Sequence, residues 1–121
     1  RMLARIARGE LSPASPARWT NRIHREDCSG FLCHLLRSAV AGHPLEPVYI
    51  GVDDQPAMQQ EVEHWLAREL GLEVGAEVIL PGEHDAVGKR CRNLLMRASG
   101  YRLRYPDFRS GYGALLSGSA S

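Results

Sequence analysis

The sequence predicts a mixed α/β fold, on three observations. Cys28, Phe31, Leu32, Leu35, Leu36, Ala39 and Val40 recur at steps of three, four and one, which is the continuous stripe of one long helix. Residues 48–52, Val-Tyr-Ile-Gly-Val, are apolar at nearly every position, as in a parallel strand buried on both faces, and lead through Asp53 and Asp54 into a helical pattern over 57–70. Tyr101 to Tyr105 alternates aromatic, basic, apolar, basic and aromatic residues, the period of a short strand.

Taken in order, Met2, Leu3, Ile6 and Ala7 give a short helical pattern that Gly9 stops. A polar loop with Pro13 and Pro16 follows, where no helix interior would tolerate either proline. Residues 21–24 read as an extended segment turning directly into the long helix. Glu26 and Asp27 lie in its first turn, where unpaired amides and the positive dipole end favour carboxylates. Gly42 and Pro44 close that helix in the usual order. In the second helix Met58, Val62, Trp65 and Leu66 mark the apolar faces, Trp65 is expected in the core, and Gly71 is the stop. Periodicity fails over 73–88, which reads as a loop or lid-like connection, with a small strand possible at Val78, Ile79 and Leu80. A short helix over 94–99 ends at Gly100, and Pro106 suits the first turn of a last helix carrying Phe108, Tyr112, Leu115 and Leu116. Residues 117–121 are small and polar and are expected to fray.

With 121 residues the chain has the size of one domain, divided as 1–17, 18–71, 72–88, 89–116 and the tail. No segment approaches the apolar length of a membrane span. The first residues lack the apolar core of a signal peptide and begin without an initiator methionine, which fits a piece of something longer. A formal net charge of +1 gives no general drive toward nucleic acid or membrane. Lys89 is the only lysine; the other basic residues are arginines, whose planar fork suits bidentate contacts with anions. Cys28, Cys33 and Cys91 cannot all pair with one another, and five residues on one helix do not bring Cys28 and Cys33 face to face. Reduced thiols in a cytoplasmic protein are expected.

Several side chains invite a chemical reading. Arg22 and His24, at the extended-to-helix junction, offer a guanidinium fork and an imidazole to a phosphate or sugar hydroxyl. The plainer reading has His24 bonding the junction backbone and Arg22 pairing with Glu26. Lys89, Arg90 and Arg92 beside Asn93, with Arg97, Arg102 and Arg104 beyond, line an anionic pocket or form a solvated face. Tyr101 and Tyr105 interleave with them as in single-strand nucleic-acid binders, but the near-neutral charge argues against that partner. His24 with Cys28, and Cys33 with His34, lack a zinc-ligand pattern, and cysteines on an apolar stripe are usually small buried hydrophobes. Asp53 and Asp54 at a strand end suit catalytic acids, yet an acid capping the next helix is the commoner explanation.

Asn-Arg-Ile-His-Arg-Glu-Asp at 21–27, then the 48–56 segment with its Trp-Leu-Ala helix, Gly-Lys-Arg-Cys-Arg-Asn at 88–93 and Tyr-Arg-Leu-Arg-Tyr-Pro-Asp-Phe at 101–108, resemble the carboxyl-terminal part of extended short-chain dehydrogenases/reductases. More narrowly, the series resembles their NAD-dependent epimerase/dehydratase branch, often labelled nucleoside-diphosphate-sugar epimerase. Ile23, His24 and Asp27 match the family's Asp-Phe-(Val/Ile)-His-Val-Asp-Asp segment, while Asn21 and Arg22 depart from it.

The resemblance implies a partial Rossmann-like lobe of about four helices and a few short strands, lacking the dinucleotide-binding half. It places Asn21, Arg22, His24, Arg90 and Asn93 at the substrate, which would be a small sugar-nucleotide-like molecule. NAD or NADP is implied for the complete enzyme and none for this chain alone, because no glycine-rich turn follows a strand and no Tyr-x-x-x-Lys pair is present. Such a lobe leaves a strand edge bare, which a missing dinucleotide-binding half or a second copy would cover. A stand-alone binding or assembly module of the same descent is the alternative.

Overall fold

The computed structural model describes residues 2–13, 16–72 and 86–118, which form two compact units. The expected small strand at 78–80, most of the expected 73–88 loop and the end of the tail lie outside the described residues. Each unit is built around a helix that binds irregular chain through buried polar side chains.

The first unit comprises Arg1–Thr20 and Ala57–Arg90. Helix α1, Met2–Ala7, supplies Ile6, and strand β1, Trp19–Thr20, pairs antiparallel with strand β2, Ala57–Met58, in the register Trp19 to Met58 and Thr20 to Ala57. Helix α3, Gln59–Glu69, continues straight from β2. Ile6, Val62 and Leu66 have no exposed surface, and each burial contributes roughly 1.5–3 kcal/mol. Trp65, expected with them, is only half-buried.

Two polar residues on α3 are equally deep. Gln60 donates to the carbonyls of Pro13 and Pro16 at 2.9 and 3.0 Å and accepts from the Arg18 amide. Glu63, 1% exposed, accepts from Arg5 at 3.0 Å and from the amide and hydroxyl of Ser12. Proline supplies no N–H, so these helix side chains pair polar groups of Ser12, Pro13, Pro16 and Arg18 in place of secondary structure.

The second unit comprises Asn21–Pro56 and Cys91–Ser121. Its organising element is helix α2, Arg25–Val40, sixteen residues long and started by His24, whose backbone is extended and whose side chain caps it. Phe31 is buried and meets Tyr49 edge-on at 5.5 Å and Tyr101 at 5.6 Å. Helix α4, Leu94–Ala98, adds the buried Met96, and helix α5, Phe108–Leu116, adds Phe108. A capping box between Asp107 and Ser110 starts α5, so Pro106 lies just before the cap instead of inside the first turn.

Asp27 has no exposed surface and ties α2 to the 101–105 segment. It accepts from the Tyr101 hydroxyl at 2.7 Å and from the amides of Arg104 and Tyr105 at 2.9 Å each. Gly30, one turn on, leaves room for the Tyr101 ring, whose carbon Cζ would lie 3.2 Å from any added Cβ.

Three expectations are corrected. The 48–52 segment is not a strand, and Val48 and Ile50 are 65% and 46% exposed. A strand is made by its neighbours, and no described strand lies beside this one; the following amides of Asp53 and Asp54 bond instead to the carbonyls of Arg22 and Pro106. The 101–105 segment is not a strand either, because the Asp27 carboxylate takes the amides a ladder would have used. The described residues therefore hold five helices and one two-stranded antiparallel sheet, with no parallel sheet. Finally, Cys28 and Cys33 are exposed, not buried: the α2 stripe faces outward at Leu32, Leu36 and Val40, which are 58%, 66% and 89% exposed.

No helix among the described residues is long and apolar enough to cross a membrane.

Candidate functional site

The second unit contains a cleft of about 240 Å³ where the junction before α2 faces α5. Arg22, Ile23, His24 and Arg25 form one wall, Asp107, Phe108, Gly111, Tyr112 and Leu115 the other, and Asp53 completes it. The chain folds this way locally because both helices begin there on side-chain caps, His24 for α2 and Asp107 for α5.

His24 is held on three sides. Its Nδ1 accepts the Glu26 amide at 3.1 Å, and its ring stacks on Tyr105 at 4.1 Å between centroids. Gly111 faces it without a Cβ, which would stand 3.4 Å from His24 Cδ2. Since Nδ1 is the acceptor in the cap, the neutral ring carries its proton on Nε2. That atom is buried and has no hydrogen-bond partner among the described residues.

Arg22 lies with its guanidinium 5.8 Å from the centre of the Phe108 ring. Asp53, 4% exposed, uses Oδ1 to accept the Gln55 amide at 3.0 Å. Burial pushes its carboxyl up to about 6, with Asp107 and Asp54 adding to the rise, while the Gln55 hydrogen bond and Arg22 oppose it. Asp107 accepts the Ser110 amide at 2.8 Å. The cleft thus pairs polar donors and one under-satisfied acid with the apolar surfaces of Ile23, Phe108 and Leu115.

Of the residues named from sequence, Arg22 and His24 share this cleft. Asn21 instead accepts the Cys91 amide at 2.7 Å. Asn93, 6% exposed, donates to the Val52 carbonyl at 3.0 Å and to Asp54 at 2.8 Å. Arg90 belongs to the first unit, stacked 4.7 Å from the Trp19 ring. Neither Asp53 nor Asp54 caps α3, whose N-cap is Met58 without a side-chain bond, so the capping explanation is corrected. Asp107, Gly111 and Tyr112 were not singled out from sequence as site residues. Their signal was the Tyr-Pro-Asp-Phe helix start, but nothing local ties it to residues 22–24 eighty positions earlier.

A dinucleotide requires backbone amides at a glycine-rich strand-to-helix turn. Among the described residues α2 and α5 start on His24 and Asp107, and α3 starts on Met58 with no glycine between strand and helix. The Asp107 carboxylate also sits where a phosphate would bind α5. These helix starts do not fit a nicotinamide dinucleotide.

No protein-family model and no curated protein matches the chain. A solved structure from Methylobacillus flagellatus, described as an NAD-dependent epimerase/dehydratase, does match, with 37% sequence identity and a TM-score of 0.85. The match covers 100% of this chain and 42% of that one, so the chain spans less than half the length of the protein it resembles.

Proposed function

Because the chain is similar in sequence and in fold, from end to end, to part of an NAD-dependent epimerase/dehydratase, we propose that it is the substrate-contacting, carboxyl-terminal part of such an enzyme. In this reading the complete protein is an extended short-chain dehydrogenase/reductase acting in the cytoplasm on a sugar-nucleotide-like substrate. This part is catalytically incomplete by itself. The match over the whole of this chain carries the reading, and the cleft at Arg22 and His24 is consistent with it.

The bare apolar face of α2 fits the same reading. Leu32, Leu36 and Val40 are spaced one turn apart on one side of the helix and stand exposed, as do Val48 and Ile50. We assign that surface to contact with the remaining, dinucleotide-binding half, since more than half of the similar protein lies outside the matched part. NAD or NADP, bound in that half, would supply hydride transfer; the residues here bind and orient the substrate.

Titrating the chain with nucleoside-diphosphate sugars while recording amide spectra tests the reading. Saturable shifts are expected at Arg22, His24 and Tyr112, with none caused by NAD or NADP. Binding of NAD by this polypeptide alone, or sugar-nucleotide shifts confined to residues away from the cleft, would overturn it.

A further inference from the structure

The cleft fits one part of a sugar nucleotide better than the others. Its volume of about 240 Å³ lies below the roughly 300–1,000 Å³ of drug-sized pockets, so it admits one ring of such a substrate and not the whole. A diphosphate is opposed there, because Arg22 and Arg25 share the lining with Asp53 and Asp107 and an anion meets as many acids as bases. A nucleobase favours an open aromatic face. Phe108 is 2% exposed with the Arg109 guanidinium 4.5 Å from its ring centre, and the His24 ring is stacked on Tyr105, which leaves Tyr112 alone in the lining to stack a base. The neutral, hydroxyl-bearing sugar is the part that remains.

A sugar hydroxyl both donates and accepts, so a site that grips a sugar presents donors and acceptors together. His24 is a fixed donor: the cap keeps Nδ1 as acceptor, and the buried Nε2–H has no hydrogen-bond partner among the described residues. Asp53 is an acceptor with capacity to spare. It is 4% exposed, lines the same cleft and accepts a single bond among the described residues, from the Gln55 amide to Oδ1. A carboxylate has about four lone-pair sites, so most are left over. Asp107 caps α5 by accepting the Ser110 amide, and Tyr112 adds a phenol hydroxyl to the lining. Between these polar groups Ile23, Gly111 and Leu115 give an apolar floor for the C–H face of a pyranose.

We propose that the cleft holds the sugar ring of a nucleoside-diphosphate sugar, one ring hydroxyl donating to Asp53 and another accepting the His24 Nε2–H, with the diphosphate and base outside it. The proposal rests on the assignment of this cleft to the substrate. It makes Asp53 a specificity-determining residue beside His24, because the two together dictate where the ring must carry hydroxyls.

The probes are the methyl pyranosides of glucose, galactose and mannose, methyl riboside, hydroxyl-free tetrahydropyran, UDP and GDP, and UDP-glucose, UDP-galactose and GDP-mannose. Each is titrated into the chain at pH 8, where Asp53 is ionised, while the His24 ring and backbone amide signals are recorded. At least one pyranoside should shift the His24 Nε2–H and the amides of Ile23 and Gly111 saturably, with riboside and tetrahydropyran at least tenfold weaker. The nucleoside-diphosphate sugar with that ring should shift the same signals, and UDP and GDP should not. Asp53→Asn keeps an oxygen for the Gln55 amide, so it should retain the parent's melting temperature or exceed it and weaken the pyranoside at least tenfold. His24→Asn, which keeps a capping oxygen but loses the ring donor, should weaken it likewise. Equal binding of riboside or tetrahydropyran, or undiminished pyranoside binding by both variants, would overturn the proposal. If nucleoside-diphosphate sugars and bare nucleoside diphosphates move the cleft signals alike and no pyranoside does, the sugar-ring assignment fails while the proposed function stands. If a pyranoside binds and no nucleoside-diphosphate sugar does, the proposed function fails and the ring site stands; silence from every probe overturns both.

Discussion

Asp27 and Asp53 are both buried in the second unit, yet the protein surrounds them differently. Asp27 accepts three hydrogen bonds from the 101–105 segment across both oxygens. Asp53 accepts a single bond among the described residues, from the Gln55 amide, and its carboxyl rises to about 6. The histidines at the cap and in the middle of α2 differ in the same way: His34 Nε2 bonds the Ser99 carbonyl at 2.8 Å, while His24 Nε2 has no hydrogen-bond partner among the described residues. A fully satisfied buried polar group holds the fold together. One left short of partners, in a cleft, is where a ligand supplies what the protein does not.

The largest effect should come from the satisfied acid. Asp27→Asn presents an NH₂ group to donors that previously shared two carboxylate oxygens, and hydrogen bonds to a charged group contribute about 1.5–3 kcal/mol each. We expect a loss of about 3 kcal/mol in urea unfolding with an unchanged denaturant slope. The Tyr101 hydroxyl, held at about 12 by its own burial and the Asp27 hydrogen bond, should then titrate at lower pH. A loss under about 1 kcal/mol would place Asp27 on a level with a surface cap and remove one side of the comparison.

This contrast also explains what the sequence made legible. The start of α2 was readable because its signals are local: an extended junction, acids in the first turn and a 3.6-residue stripe. The stripe gives period but not partner, and so placed Cys28 and Cys33 inside when they face out. Residues 48–52 have strand composition without a neighbouring strand, and composition alone does not form a sheet. Asn21 bonds the Cys91 amide, and Asn93 bonds the Val52 carbonyl and Asp54, partners that no local pattern in the sequence shows. The helices, being local, were readable; the cleft joins residues 22–24 to 107–115, and no short-range pattern announces that pairing.

Asp53 should respond in the opposite direction to Asp27. Its folded-state carboxyl lies at about 6 against an ordinary 3.8, so the folded chain holds that proton more tightly than the unfolded one. The stability it contributes is full below about pH 4 and is lost as pH rises through about 6. Arg22, Asp54 and Asp107 bear on it electrostatically, and His24 shares the cleft. Asp53→Asn keeps an oxygen for the Gln55 amide and removes the buried charge. The variant should melt a few degrees above the parent at pH 8 and with it at pH 4; equal melting at both values would mean that the Asp53 charge is not strained.

The smallest effect tests how closely α5 closes on His24. Gly111 and Gly113 both lie inside α5, where alanine is favoured over glycine by about 0.5–1 kcal/mol. An added Cβ at Gly113 meets nothing within 4 Å, so Gly113→Ala should gain stability of that size. At Gly111 the same atom stands 3.4 Å from His24 Cδ2 and 3.9 Å from the Cβ of both His24 and Tyr105. The imidazole cannot retreat without moving off Tyr105 or loosening its bond to the Glu26 amide, so Gly111→Ala should show little or no gain in melting temperature. If the two variants gain equally, His24 has room to shift, and the donor it presents to the cleft is less fixed than the cap and the stacking geometry require.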